Sequence, residues 1–189
     1  MKTKLVLLVL IPFILGMNLA KGQGFTPPAP GKVVVYFTRV TNYGGAVSFE
    51  YFDQDKYIGA FKGKNYMRYE CEPGQNLFWA SSENKEFITA DLKEGGTYIV
   101  IVNIEMGAWK ARVGLAPLAI KDIELFERAK KLILSEPPVV ISEDKIQSLN
   151  IKLADFIKEK LTLYETEWKK TKDFGHITAK MAIPVEAMK

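Results

Sequence analysis

Between Lys32 and Leu115 the chain passes through eight short stretches rich in β-branched and aromatic residues, with turn signals at short intervals and no helical period between them. The stretches are 32–39, 46–53, 56–61, 65–72, 77–82, 86–92, 97–105 and 109–115. Tyr43-Gly44-Gly45, Gln54-Asp55, Gly63-Lys64, Pro73-Gly74-Gln75 and Glu94-Gly95-Gly96 lie between them and supply the residues that tight turns need. Such spacing predicts an antiparallel β-sandwich or barrel over 31–118, preceded by an extended Pro-rich lead-in over 23–30.

Alternation assigns faces. Met67, Tyr69 and Cys71 share one face of their strand, and Tyr66, Arg68, Glu70 and Glu72 the other. Trp79 falls with Leu77, and Phe78 with Ala80. Strands 32–39 and 97–105 are apolar on both faces, so both are expected to be central and to need a covering layer.

After Leu118 the period becomes helical. Ile120, Ile123, Phe126, Ala129 and Ile133 predict a helix over 120–134, ended by Ser135-Glu136-Pro137-Pro138. Ser142 reads as the N-cap of a second helix over 143–172, with Gly175 beyond its end. At 1.5 Å per residue that helix would be roughly 45 Å long, more than the width of so small a domain. Its apolar stripe holds Leu153, Phe156, Ile157, Leu161, Tyr164 and Trp168. The stripe either packs on the sandwich or meets a partner, a second copy or another envelope protein. The helical region as a whole is 119–189.

The first 22 residues read as a signal peptide. Lys2 and Lys4 form a positive start, Leu5 to Met17 an apolar run too short to span a bilayer, and Ala20 and Gly22 a cleavage site before Gln23. No cysteine stands at that site, so a soluble exported protein, periplasmic or extracellular, is expected, with no transmembrane span after cleavage. The segment also holds three lysines and no acid. Without it 23 basic and 22 acidic groups remain, a formal charge of about +1 that gives nucleic acid no basic surface to bind.

Composition narrows the chemistry further. Cys71 and His176 are the only cysteine and histidine, which excludes an intrachain disulfide and Cys- or His-built metal sites. No cofactor and no enzymatic activity is expected. Glu50, Asp53, Asp55, Glu70 and Glu72 fall on neighbouring strands and a turn, and read as solvated faces rather than a glycosidase pair or calcium site. Ser81-Ser82 lacks a nearby base. His176 reads as a solvated side chain in a tail. Exposed aromatics could stack on sugars, and Tyr43, Trp79 and Trp109 are the candidates for a glycan-binding face, unless the helices cover it.

Several segments carry a family resemblance. They are Gly31-Lys32-Val33-Val34-Val35-Tyr36, Asp55-Lys56-Tyr57-Ile58-Gly59, Glu72-Pro73-Gly74, Phe78-Trp79-Ala80-Ser81-Ser82, Glu94-Gly95-Gly96-Thr97-Tyr98 and Met106-Gly107-Ala108-Trp109-Lys110-Ala111-Arg112-Val113. In order and spacing, region 30–118 resembles the domain of unknown function 2846 family of small exported bacterial proteins. The resemblance implies a β-sandwich like the PEGA and carboxypeptidase-regulatory modules and assigns no catalytic residue. Many members are lipoproteins, and this chain lacks their lipid-bearing cysteine. The resulting expectation is a mainly β chain with a C-terminal two-helix segment. It would act as a non-enzymatic binding or scaffolding protein of the cell envelope, with a glycan-binding module as the alternative and a hydrolase as the weakest reading.

Overall fold

The computed structural model describes residues 24–106 and 111–189. The expected signal peptide and Trp109 lie outside them. The eight expected strands are all present: β1 (Val33–Arg39), β2 (Ser48–Asp53), β3 (Lys56–Lys62), β4 (Asn65–Cys71), β5 (Gly74–Ser81), β6 (Lys85–Leu92), β7 (Thr97–Met106) and β8 (Ala111–Pro117). A ninth, β9 (Gly175–Ile177), comes from the tail. They form a β-sandwich with sheets ordered β4-β1-β7-β8 and β3-β2-β5-β6-β9.

The sheets are mixed, which corrects the antiparallel expectation. β1 runs parallel to β7, and β9 parallel to β6. Distant segments are brought side by side here, and parallel neighbours need such long connections rather than hairpins.

The inner faces carry the main core. Val33, Val35, Phe37, Phe49, Tyr51, Phe78, Ile88 and Val100 meet there. The opposite faces are apolar too, and each receives a helix. α1 (Ile123–Ser135) lays Phe126, Ala129, Leu132 and Ile133 over Val34, Tyr36, Ile99 and Ile101 of the first sheet. α2 (Glu143–Leu163) runs on through a π-helical turn at Tyr164–Trp168 and a last turn at Lys169–Thr171, and covers the second sheet. Four layers result: helix, sheet, sheet, helix. α1 starts three residues later than its pattern suggested, after a turn in which Asp122 N–H donates to the Ala119 carbonyl. Ile120 and Ile123 therefore remain exposed.

The sandwich region and the helical region are not separate units. β9 completes the second sheet, and Ile183 N–H donates to the Thr97 carbonyl at 2.8 Å while its side chain joins the core under α1. At the other end Phe25 packs edge-on against Tyr36, with ring centroids 5.2 Å apart.

Two edge strands are closed by side-chain amides. Asn150 of α2 accepts from Tyr57 N–H at 2.7 Å and donates to the Tyr57 carbonyl at 3.1 Å. Asn84 likewise accepts from Val113 N–H at 2.8 Å and donates to its carbonyl at 2.8 Å. Each amide takes the place of a neighbouring strand's peptide group at one edge position. Asn150→Ala is therefore expected to cost about 1–3 kcal/mol, because it strands two backbone groups of a buried residue. Urea unfolding should show a lower midpoint at unchanged slope, while Ala at exposed Gln147 changes little.

Candidate functional sites

The row of rings on the second sheet takes up most of the residues that the sequence offers for binding. Trp79 is fully buried. It stacks on Phe52 at 3.8 Å and on Phe87 at 5.5 Å, and its indole N–H donates to the Gln54 carbonyl at 2.9 Å. It is not a ligand platform, because α2 lies over it. Phe156 sits 6.0 Å from Trp79, and Tyr164 stacks on Phe87 at 4.5 Å. Leu153, Ile157, Leu161 and Trp168 join the same cluster. The helix stripe thus meets its own sheet, with Ile157 and Tyr164 buried and Leu153, Phe156, Leu161 and Trp168 half-buried.

Of the two candidate aromatics among the described residues, Tyr43 is the one in solvent, 57% exposed. Its turn is held by buried Arg39, whose guanidinium donates to the carbonyls of Tyr43, Gly44 and Val47 at 2.6, 2.8 and 3.0 Å. Sequence reasoning gave Arg39 no role. Its burial was concealed at the end of an otherwise apolar strand.

The acidic residues do not converge. Glu70 pairs with Arg68 at 3.0 Å, Glu72 with Lys32, and Asp55 sits at the β2–β3 turn. Asp53 turns inward and accepts from the Tyr69 hydroxyl at 2.9 Å, a bond between the two sheets. Its Oδ1 is buried with no hydrogen-bond partner, and burial raises the carboxyl above its ordinary range. Burial also pushes the Cys71 thiol up to about 12, which makes it a poor nucleophile. Ser82 is structural, since its hydroxyl accepts from Val113 N–H at 3.0 Å. Among the described residues no three His, Cys, Asp or Glu side chains come close enough to hold a metal ion.

Several concave surfaces remain among the described residues, and two of them are lined by residues from several strands. The first is a cavity of about 860 Å³ at the seam between edge strands β3 and β4, strapped by the segment joining α1 to α2. Its walls are mainly apolar: Ile58, Met67, Tyr69, Val139, Ile141 and Ile146. The strap is fixed by Val139 N–H, which donates to the Tyr66 carbonyl at 2.8 Å. The second is a groove of about 570 Å³, of mixed polar and apolar lining, where α2 crosses the ends of β5, β6 and β9. His176 lies in it as a residue of β9, not as a loose tail side chain. Nδ1 is 2.8 Å from the Thr89 hydroxyl and Nε2 is 3.3 Å from Asp91. Gln54, Gln75, Asn76 and Glu165 line the same groove.

No family model, curated protein or solved structure matches this chain. The geometry alone must therefore carry any reading of these surfaces. Neither surface was legible beforehand, because each is assembled from segments far apart in sequence. One signal was present: Asn150 interrupts the apolar helix beside Leu149 and Leu153.

The folded chain holds Asp53 protonated more readily than the unfolded chain does, so its contribution is most favourable at low pH. That contribution falls as pH rises from the unfolded towards the folded value, and a cost remains at neutrality. Asp53→Asn keeps an acceptor for Tyr69 and removes the charge. It is expected to raise stability at neutral pH and to remove this slope. Urea unfolding between about pH 3 and 7 checks both.

Proposed function

We propose that this chain is an exported, non-enzymatic binding module of the cell envelope, akin to the domain of unknown function 2846 family in its sandwich. One observation carries the reading: both helices cover outer faces of the sandwich, so the apolar stripes are used inside the chain and concave surfaces are left for ligands. No described helix is long and apolar enough to cross a membrane. Catalysis is set aside on chemical grounds. The Thr89–His176–Asp91 relay has its histidine and carboxylate 45% and 55% exposed, whereas a nucleophilic relay works through a buried carboxylate and a water-excluded site. Scaffolding through α2 is the weaker form of the proposal. Light scattering on residues 23–189 is expected to give a monomer. Leu161→Asp with Trp168→Ala should then cost about 3 kcal/mol of stability, as core truncations do. A dimer that these changes split without loss of stability would restore the helix as a partner surface.

A second reading, a glycan-binding module, is favoured by the groove at His176. Its amides, carboxylates, imidazole and the Lys169 ammonium mix donors and acceptors beside Leu77, Leu161 and Tyr164, which suits a hydroxyl-rich neutral ligand. The expected result is calorimetric binding of short N-acetylglucosamine or glucose oligomers that is lost in Gln75→Ala and His176→Ala. Failure of both oligomer series would remove this reading.

A further inference from the structure

The seam cavity has three properties that belong together. Its walls are apolar, contributed by Ile58 of β3, Met67 and Tyr69 of β4, and Val139 and Ile141 of the strap. Its mouth carries two aliphatic side chains that gain nothing for the fold where they stand: Val140 is 82% exposed and Ile151 is 81% exposed. Isolated exposed aliphatics are common, but these two line the same apolar hollow and extend its apolar surface outward. The charged groups lining it are Lys56, Arg68 and Glu143, an excess of one positive charge. Arg68 is shared with Glu70, and Glu143 is engaged by Gln147 of its own helix at 3.4 Å, which leaves Lys56 as the cation facing solvent there.

We infer that this cavity binds a single acyl chain bearing a carboxylate, a free fatty acid of medium length. The chain lies against the apolar walls and is covered at the mouth by Val140 and Ile151. The carboxylate meets Lys56, with Arg68 behind it. The hollow falls within the ordinary range for small-ligand sites, about 300–1,000 Å³. The strap of Val139–Ile141 gives the site its roof without an additional domain. The inference rests on the binding-module reading and names the ligand class for one of its concave surfaces.

The test uses residues 23–189 and the anionic apolar dye 1-anilinonaphthalene-8-sulfonate, with laurate as competitor. The dye is expected to fluoresce on the native protein, to be displaced by laurate, and to lose at least tenfold in affinity in the double variant Val140→Asp, Ile151→Asp. Both positions are exposed, so the melting temperature of that variant should hold and the loss will not be one of folding. Displacement by saturated acids of eight to twelve carbons should strengthen about two- to fourfold per methylene, as burial of each added group requires. Lys56→Glu should weaken laurate about tenfold and leave dodecanol unchanged, while Glu143→Gln should tighten laurate. Dye binding that depends on Val140 and Ile151 but resists every fatty acid would overturn the acyl-chain inference and leave a binding cavity standing. Dye fluorescence that is absent, or indifferent to the double variant, would overturn the inference and remove the seam from the binding-module reading as well. Laurate binding that is equal in the wild type and Lys56→Glu would overturn the role of the carboxylate.

Discussion

Trp79 lies between Phe52 and Phe87 on the face of the second sheet that points away from the sandwich interior, and the rest of the architecture answers to that placement. A row of rings on an outer face cannot be left in water. Each ring is worth about 1.5–3 kcal/mol when fully covered. The cover must be long enough to reach from β3 to β9, and α2 with its π-helical turn has that reach: Asn150 bonds to β3 at one end, and Tyr164 stacks on Phe87 of β6 towards the other. The length that made this helix look too large for the domain is the diagonal of the sheet it protects. The same logic, with Tyr36 and Phe126 among mostly aliphatic residues, sets α1 over β1 and β7.

Covering the faces leaves the edges, and these are closed by different means. Asn150 and Asn84 each satisfy one backbone pair on an edge strand. The strap between the helices bonds to β4 through Val139, and the lead-in adds Arg68 Nη2 donating to the Pro27 carbonyl at 3.2 Å. Edge pairing with a foreign strand is thereby hindered at several positions. Because the strap crosses the seam at one side only, a hollow remains beside it. The cavity at β3 and β4 follows from how that edge is closed.

Much of this was legible in the sequence for a simple reason. β1 to β8 carry their period and their turns locally, so their limits emerged within a few residues. Alternation also put Trp79 and Phe78 on opposite faces correctly, and the apolar character of 32–39 and 97–105 announced covering layers. What could not be read depends on distant partners. Gly175-His176-Ile177 has no strand signature of its own, and it becomes β9 because β6 offers an edge. The parallel pairing of β1 with β7 leaves no local mark. His176 is solvated as its sequence suggests, but its partners, Thr89 and Asp91, lie on a strand far upstream and leave no local mark. Asp53 and Arg39 sit at strand ends, where a charge normally marks the surface, and only the folded chain shows them turned inward.

The C-terminal segment joins both sheets, with β9 extending the second and Ile183 bonded to the first strand residue of β7. Synthesis runs the other way, so the eight upstream strands exist before anything can finish them. While the chain is still emerging, the rings of β2, β5 and β6 have no roof and the second sheet lacks its last strand. Cooperative closure must therefore wait until α2, β9 and Ile183 have been made.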